Sequence, residues 1–379
     1  MIIGIDASNI KSGGGLTHLL NLLNESNPKL HNFNLIVVWC NNNNYHKIPK
    51  RKWILKKKIF DGNINNFKMF IWQFFFLSKC AKKIGCNVVL FPGGIYFGNF
   101  RPFIAISQNM IPFEKSVLME FFFKLKFIKF YLIKISQIHT FKKSQGIIFL
   151  TSYAKKKILK IINVKKINKI IEHGIDKNLK KIEFKKKNIC NFKKNKKFKI
   201  LYVSTIDRYK HQVNVMQAVN SLREKNKWDL ELTFIGANYQ DNQVDIFKEK
   251  MSFYNKKKNW IKYIPDLNHK KLIKMYTKFD LGVFASSCEN LSNIILEKMS
   301  ACLPLICSNT SSVSFWLKDY KNKFNPYNSK SLEKVLFKII PSTFKRSLIA
   351  KNYKIKSNKF SWELTAKKTF DLINKYSDE

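Results

Sequence analysis

Short apolar runs alternate with segments that carry apolar residues at helical spacing along most of this chain. The runs predict strands buried on both faces, and the spaced segments predict amphipathic helices. The predicted strands lie at residues 2–6, 35–40, 88–91, 103–107, 146–150, 198–203, 230–235, 260–264, 281–285 and 303–307. This alternation favours parallel sheets covered by helices, and 379 residues are enough for two such domains.

One strand–turn–helix–strand unit, residues 281–307, holds the polar positions of greatest interest. Glu289 falls in its turn and Glu297 inside its helix, so the two carboxylates can reach opposite ends of one bound molecule. Between them the helix is predicted to begin with the backbone N–H groups of Leu291, Ser292 and Asn293. Such amides bind anions because they are unpaired and the helix dipole is positive there. A phosphate site flanked by two hydroxyl acceptors suits a nucleotide sugar; two unrelated surface glutamates are the simpler alternative.

This segment resembles the donor-site motif of glycosyltransferase family 4, whose members are retaining transferases with the GT-B fold. The matching positions are Ser286, Glu289, Glu297, Leu303 and Pro304. The resemblance implies an α/β chain of two Rossmann-like, doubly wound domains that face a central cleft. It also implies that Glu297 binds the ribose hydroxyls of a nucleotide sugar and that Glu289 binds its sugar hydroxyls.

Two segments of the first half also resemble this family. Gly13, Gly14 and Gly15 follow the first strand and can bring backbone close to a phosphate or sugar, although a plain turn is an equal alternative. In the family, the corresponding loop lies near the donor diphosphate and the acceptor. The loop 108–114 resembles a branch that builds surface polysaccharides. Gln108 or Asn109 stands where many relatives carry a histidine that contacts the donor sugar, and we take Asn109 as the candidate.

The loop after strand 198–203 contains two cations, Arg208 and Lys210. Arginine can clamp a phosphate through two hydrogen bonds, and lysine acts as a point charge, so the loop predicts a diphosphate site. Lys210 matches the family's lysine, but Thr205 stands where the family usually carries an arginine. We therefore expect Arg208 to compensate for the missing arginine.

The net charge of +45 arises from 70 lysines and arginines against 25 acidic residues. Only five of the 70 are arginine, and the abundance of lysine, asparagine, isoleucine and phenylalanine is typical of AT-rich codon bias. The charge also favours attraction to an anionic membrane surface. Nucleic acid is a less favoured partner because the chain has no aromatic RNA-stacking motif.

Cysteine usage and hydropathy indicate the compartment. Seven cysteines without a C-x-x-C spacing predict neither disulfides nor a zinc site, and favour a reducing compartment. The chain opens on a strand, so we expect no signal peptide, and its apolar runs are too short or too rich in lysine to span a bilayer. We expect a cytoplasmic protein, with peripheral contact at the inner face of the plasma membrane as an option. Residues 117–138 fit either a membrane-surface helix or a partly buried helix with extended lysines.

The predicted domain organisation has four parts. Residues 1–176 form an acceptor domain, 177–197 a basic linker, 198–357 a nucleotide-sugar donor domain, and 358–379 a helix that crosses back to the first domain. The crossing helix is carried over from the GT-B resemblance.

These features predict an enzyme that stabilises a leaving diphosphate, because the chain offers cations and helix amides but no evident nucleophile–base pair or metal-ligand cluster. The resemblance adds retention of anomeric configuration and no required metal or cofactor. The predicted partners are a nucleotide sugar and a glycan or polyprenyl-linked acceptor. The alternatives are a GT-B nucleotide-sugar epimerase, a non-catalytic paralogue and a basic nucleic-acid-binding protein.

Overall fold

The structure is a computed structural model that describes residues 1–60, 65–122, 125–164, 167–186, 189–237, 242–256, 258–265, 267–317 and 322–376. The chain divides into two compact units. One is Met1–Gly174 with Phe360–Glu379, and the other is Ile175–Lys359. Each unit has a parallel sheet, and helices cover both sides of the sheets, so the predicted α/β class is confirmed.

The sheet of the first unit has seven strands in the order β3-β2-β1-β4-β5-β6-β7. They are β1 (Ile2–Ala7), β2 (Leu35–Cys40), β3 (Ile54–Lys58), β4 (Val88–Phe91), β5 (Phe103–Ser107), β6 (Gly146–Phe149) and β7 (Ile167–Ile170). The chain order reverses between β1 and β4, and ligands of open α/β sheets bind at the carboxyl ends of strands at such a point. Asp6 is the buried carboxylate at this end of β1, and it accepts hydrogen bonds from Gln73 (2.6 Å) and Ser8 (3.0 Å).

Among the described residues, eight helices of the first unit precede its junction with the second. They are α1 (Gly13–Asn24), α2 (Pro28–His31), α3 (Asn42–Tyr45), α4 (Asn66–Ile71), α5 (Leu77–Ile84), α6 (Lys115–Met119), α7 (Leu125–Lys143) and α8 (Ser152–Ile162). A π-helical turn, Trp72–Phe76, joins α4 to α5, and a 3-10 turn, Ile111–Phe113, precedes α6. Local sequence sets several ends. Thr151 caps α8 by accepting the N–H of Ala154, and α5 ends where Gly85 adopts a φ of 78°.

The sheet of the second unit has six strands in the order β10-β9-β8-β11-β12-β13. They are β8 (Phe198–Val203), β9 (Leu230–Ile235), β10 (Ile261–Ile264), β11 (Leu281–Phe284), β12 (Leu305–Ser308) and β13 (Lys323–Phe324). Its helices are α9 (Lys177–Lys180), α10 (Gln212–Asn226), α11 (Asn242–Asn255), α12 (His269–Tyr276), α13 (Asn293–Ser300), α14 (Ser311–Trp316), α15 (Ser329–Ile339) and α16 (Thr343–Ser357), with a 3-10 turn at Arg208–Lys210. Here the order reverses between β8 and β11.

Part of the predicted linker, residues 177–197, packs on the second unit. The Phe192 ring lies 5.0 Å from the Trp228 ring, and the fully buried Arg346 donates to the Cys190 carbonyl at 2.8 Å. Lys354 donates to the carbonyl of Lys180 at 3.0 Å. These contacts tie the segment to the core of the second unit, although its composition is that of a solvated chain.

The last helix, α17 (Trp362–Asn374), belongs to the first unit. Its Phe370 ring stacks on His31 of α2 at 4.7 Å. Gly174 lies so close to this helix that a Cβ there would overlap the backbone of Trp362. The two positions at which the chain leaves and re-enters the first unit are therefore in direct contact.

Two buried histidines lie beneath that contact. His18 of α1 and His173 are both fully enclosed, their Nδ1 atoms are 3.3 Å apart, and the Trp362 ring lies 5.8 Å from the His18 ring. Burial lowers the pKa of His18 to about 4. Burial and the neighbouring His18 hold the pKa of His173 well below its ordinary value. Both rings are neutral at physiological pH, and only one of the facing nitrogens carries a hydrogen.

Candidate active site

The candidate site of the second unit lies where three neighbouring strands end. Because β8, β11 and β12 are adjacent and parallel, the loops that follow them meet at one edge of the sheet. Ser287 of the loop after β11 donates its N–H to the carbonyl of Tyr209 in the loop after β8, at 2.9 Å. Ser308, at the end of β12, donates its hydroxyl to the carbonyl of Ser286 at 2.5 Å. These bonds make the three loops one connected structure.

Two of the predicted site residues, Lys210 and Glu289, form an ion pair at this edge. Lys210 Nζ donates to Glu289 Oε1, and the side chains are only 10% and 14% exposed. Burial alone would lower the pKa of Lys210, but the charge of Glu289 outweighs it and raises that pKa. The Tyr209 ring lies 4.8 Å from Lys210 Nζ and adds a cation–π contact. Lys210 is therefore a fixed cation that holds Glu289 in place.

The backbone at Glu289 is held by two serines at the start of α14. Ser311 Oγ accepts the N–H of Glu289 at 3.0 Å and donates to its carbonyl at 2.8 Å, and Ser312 Oγ donates to the same carbonyl at 2.7 Å. Ser311 has a φ of 56°, a left-handed conformation that is unfavourable for a serine. This backbone conformation costs of order 1–3 kcal/mol, and it occurs where the loops after the strands meet.

Glu297 is buried in α13, and both of its carboxylate oxygens have partners from α12. His269 Nε2 lies 2.8 Å from Oε1, and the Tyr276 hydroxyl donates to Oε2 at 2.7 Å. The hydrogen bond that His269 makes to the Glu297 carboxylate raises the pKa of His269 against the effect of burial. Burial, followed by the charge of Glu297, holds the pKa of Tyr276 well above its ordinary value. Tyr276 is thus a permanent donor, while the half-exposed His269 is the exchangeable partner.

The start of helix α13 differs in part from the predicted start. The helix begins at Asn293, and Ser292 is its N-cap residue, so Leu291 lies outside it. The N–H groups that this helix start leaves without intrahelical acceptors are those of Ser292, Asn293, Ile294 and Ile295. Of the predicted amides, those of Ser292 and Asn293 therefore remain candidates for binding an anion.

Arg208 opens the 3-10 turn after β8, and its side chain is exposed. It lies near His211, whose pKa is lowered to about 4 by burial and then by the charge of Arg208. The Thr205 carbonyl accepts a hydrogen bond from Gln212 at 2.8 Å. The loop thus presents a cation at its surface, and its backbone is held by a hydrogen bond from Gln212.

The remaining predicted site residues lie in the first unit. The first turn of α1 consists of Gly13, Gly14 and Gly15, which were predicted to form a loop before the helix. The buried leucines of α1 anchor the helix, and its first turn includes the glycines that precede them. Gly13 has a φ of 67°, and a Cβ at Gly15 would lie 3.1 Å from Gln108 Oε1. Asn109 accepts the N–H of Ile111 at 3.0 Å, so its side-chain oxygen shapes the loop after β5.

Several residues of the site were not predicted from the sequence. His269 is distant in the chain from Glu297, which it supports, and nothing in the residue pattern marks it. Lys298 is a second example. It is fully buried, donates to the Val283 carbonyl at 3.1 Å, and burial lowers its pKa to about 7. In a chain so rich in lysine, this position carries no signal.

Within the residues that the structure describes, no group of three or more His, Cys, Asp or Glu side chains is placed to hold a metal ion. No helix in the described part of the chain has both the length and the apolar character needed to cross a bilayer.

Residues 183–355 match the profile of a family described as glycosyl transferases group 1. This match covers most of the second unit, including the Lys210–Glu289 pair and Glu297. No curated protein sequence matches the chain significantly.

Solved structures resemble the whole chain at low sequence identity. Sucrose-phosphate synthase from Thermosynechococcus elongatus aligns with a TM-score of 0.79 at 13% identity, over 99% of this chain and 98% of that one. HepE from Anabaena, in complex with UDP and glucose, gives 0.69 at 14% identity, over 99% of each chain. WaaG, a glycosyltransferase involved in lipopolysaccharide biosynthesis, gives 0.70 at 14% identity, over 98% of this chain and 99% of that one.

These similarities confirm the predicted GT-B fold. The residues that match the glycosyl transferases group 1 profile lie in the second unit and include the carboxylates described above. The chain is therefore an enzyme of the glycosyltransferase class.

Proposed function

We propose that this enzyme is a retaining transferase of family 4 that moves a sugar from a nucleoside diphosphate to a glycan or lipid-linked acceptor, in the synthesis of surface polysaccharide. The observation that carries the proposal is the pair of supported carboxylates on either side of the start of α13. Glu289 is held by Lys210, and Glu297 by His269 and Tyr276. Two rigid hydroxyl acceptors beside an anion site suit a nucleotide sugar.

In this proposal the donor lies along the carboxyl edge of the second sheet. Tyr276 keeps Glu297 oriented, and the ribose hydroxyls take the place of the half-exposed His269 at Oε1. Glu289 accepts hydrogen bonds from the transferred sugar. The diphosphate lies between them, against the amides of residues 292–295.

The ion pair changes the role first predicted for Lys210. A lysine already neutralised by Glu289 contributes little net charge to a diphosphate. The exposed Arg208 and the helix amides are then the groups that stabilise the leaving diphosphate as the bond to the sugar breaks. Lys210 serves by holding Glu289 in place. The scheme needs no metal ion, and the acceptor proton passes to a phosphate oxygen of the leaving group.

The nucleotide is proposed to be UDP. HepE was solved with UDP and glucose, and a trehalose-6-phosphate enzyme of E. coli with UDP-2-fluoro glucose. Both share the fold of this chain over nearly its full length. WaaG, which acts in lipopolysaccharide biosynthesis, supports a surface glycan as the product. The proposed setting is the cytoplasmic face of the plasma membrane, where a net charge of +45 favours anionic lipid.

Calorimetric binding of UDP, GDP and ADP tests the donor site. We expect UDP to bind most tightly and Glu297→Ala to lose at least tenfold in affinity. Glu249→Ala is the matched control, since it removes an exposed glutamate of α11 in the same unit. Equal affinity of wild type and Glu297→Ala for every nucleotide would contradict the donor site.

A second assay separates transfer from the epimerase alternative. UDP-sugars are incubated with the enzyme, with and without a lipid-linked glycan, and the anomeric configuration of the product is read by NMR. We expect the sugar to be transferred only when the acceptor is present, and its anomeric configuration to be retained. Isomerisation of the UDP-sugar in the absence of acceptor would identify the enzyme as an epimerase.

A further inference from the structure

The second unit contains a large cavity at the edge of its sheet opposite the donor site. Its volume is about 750 Å³. It lies at the amino ends of β8, β9 and β10, which are neighbours in the sheet, and it is lined by residues that precede each of these strands. Sheets of this kind ordinarily bind ligands at the carboxyl ends of their strands. The donor site therefore does not account for this cavity, whose volume is that of a small-molecule site.

The walls of the cavity are the connections that lead from α10 and α11 into the sheet. The N–H of Asp229, before β9, donates to the carbonyl of Lys194, before β8, at 3.1 Å. The indole N–H of Trp260, before β10, donates to the carbonyl of Tyr254, in the last turn of α11, at 3.0 Å. The Asn255 side chain accepts the backbone N–H of Trp260 at 3.2 Å. These bonds tie the lining segments to one another, so the cavity has built walls.

Arg223 of α10 is the most enclosed cation of the cavity. Its side chain is 12% exposed, and its guanidinium carbon lies 5.0 Å from the Trp260 ring in a cation–π contact. Its Nη1 donates to the Leu230 carbonyl and lies 3.7 Å from Asp229 Oδ1. Among the described residues, none accepts a hydrogen bond from Nη2. One edge of a fixed guanidinium is therefore left for an anionic ligand, which arginine binds through paired hydrogen bonds.

The lining residues carry an excess of positive charge. They include five cations and two carboxylates, which are Lys194, Arg223, Lys227, Lys256, Lys258, Glu224 and Asp229. Lys227 and Lys256 directly follow α10 and α11, where a cation offsets the helix dipole. Lys194 and Lys258 precede strands and have no such role. The excess charge therefore favours an anion, beyond what the helix ends require.

One aromatic ring of the cavity is open to solvent. Phe253 of α11 lines the cavity and is 58% exposed. The two tryptophans that line it are engaged, since Arg223 covers Trp260 and the Phe337 ring stacks on Trp228 at 5.6 Å. Phe253 is thus the ring on which a flat group can stack. A single open ring disfavours single-stranded nucleic acid, whose successive bases stack on several rings.

We propose that this cavity is a second nucleotide site, in which the phosphates contact Arg223, Lys194 and Lys258 and the base stacks on Phe253. A nucleotide combines a compact polyanion with one flat aromatic group, and the cavity offers a partner for each. The inference does not rest on the proposed function, because no residue of the donor site takes part in it.

ADP and pyrophosphate test the proposal by calorimetry on the full-length enzyme. They share a diphosphate and differ in the nucleoside. We expect ADP to bind roughly tenfold more tightly, because only ADP can stack on Phe253. Phe253→Ala should remove most of that preference without loss of folding, since the side chain is exposed. Arg223→Lys should weaken both ligands, because lysine keeps the charge but loses the paired hydrogen bonds.

Two matched controls lie in the same unit. Phe344→Ala changes a 72% exposed ring of α16, and Lys248→Gln removes an exposed lysine of α11 that does not line the cavity. Both should bind ADP and pyrophosphate as the wild type does, whereas Lys258→Gln should weaken both ligands. Equal affinity of the wild type for ADP and pyrophosphate, or losses in the controls as large as those in Phe253→Ala and Lys258→Gln, would overturn the proposal.

Glu297→Ala separates this site from the donor site. It should leave ADP affinity unchanged, and Phe253→Ala should leave UDP affinity unchanged. If Glu297→Ala lost ADP binding and Phe253→Ala kept it, the nucleotide would lie in the donor site and the second site would be refuted, while the proposed function would stand. If UDP bound Glu297→Ala as tightly as the wild type, the donor site alone would be contradicted.

Oligoadenylates of increasing length test the alternative of a nucleic acid. For a nucleotide site, affinity should not rise with length beyond the first nucleotide. Affinity that rises steadily with length and depends on Phe253 would make the ligand a single strand and overturn the proposal.

Discussion

The Lys210–Glu289 pair gives the sharpest test of the site, through Lys210→Met, Glu289→Gln and the double variant. Both side chains are almost fully buried, at 10% and 14% exposure. Removing one partner of such a pair costs about 3–5 kcal/mol, because the other charge is left buried and unpaired. Replacing both by neutral side chains of similar volume is close to neutral.

The expected pattern is therefore non-additive. Each single variant should destabilise the strand-end loops by about 3 kcal/mol, and the double variant should recover most of that loss. Donor turnover should behave differently. All three variants should lose turnover. Glu289→Gln and the double variant lack the carboxylate for the sugar hydroxyls, and Lys210→Met lacks the cation that holds that carboxylate in place.

Native-state hydrogen exchange is the suitable assay, since a chain of two units does not unfold in a single two-state step. A loss of about 3 kcal/mol corresponds to exchange that is roughly 100-fold faster for amides that open locally. The relevant amides are those of residues 200–212 and 281–312. If these amides exchanged as fast in the double variant as in the less stable single variant, the single variants would not owe their instability to an unpaired buried charge.

Three further substitutions or conditions have defined outcomes. Arg208→Ala should lower kcat about 100-fold through loss of a diphosphate contact, while stability changes by less than about 0.5 kcal/mol, because the side chain is exposed. Tyr276→Phe should weaken UDP binding and cost about 1.5–3 kcal/mol in unfolding free energy, because it removes a buried donor to the Glu297 carboxylate. Acid should destabilise the first unit between pH 6.5 and about 4. In that window His18 takes up a proton in the unfolded chain but not in the folded chain. The free energy of unfolding therefore decreases by roughly 3 kcal/mol as the pH falls.

Each of these predictions has its own control. Normal turnover in Arg208→Ala would show that another group meets the diphosphate. If Tyr276→Phe bound UDP as tightly as the wild type does, the Tyr276 hydroxyl would not be the group that orients Glu297. For the acid effect, His18→Gln should reduce the dependence of stability on pH, with the remainder due to His173, whose pKa burial also lowers. A profile that matches the wild type would assign the loss to other groups.

The central strands could be predicted because both of their faces are buried. The predicted bounds 35–40, 198–203 and 230–235 coincide with β2, β8 and β9. The edge strand β3 was missed, since Ile54–Lys58 has three lysines and only one fully buried residue, and its composition indicates a basic surface segment. What makes it a strand is pairing with β2, which residue spacing does not record.

The candidate site could be predicted only in part for a similar reason. The positions of Glu289 and Glu297 follow from a local strand–turn–helix pattern, and such a pattern can be recognised in the sequence. Their partners are not local. Lys210 could be proposed as a cation but not as the partner of Glu289, and His269 has no feature that marks it before α12 is packed against α13.

The contact of Gly174 with Trp362 has a consequence for taking the enzyme apart. The second unit is one uninterrupted insert within the first, and the cut ends on the first unit are already neighbours. A short glycine bridge from Gly174 to Phe360 would close a small loop at little entropic cost. The excised insert and the rejoined host would each keep a whole sheet. Nucleotide binding by the excised insert could then be measured without the first unit.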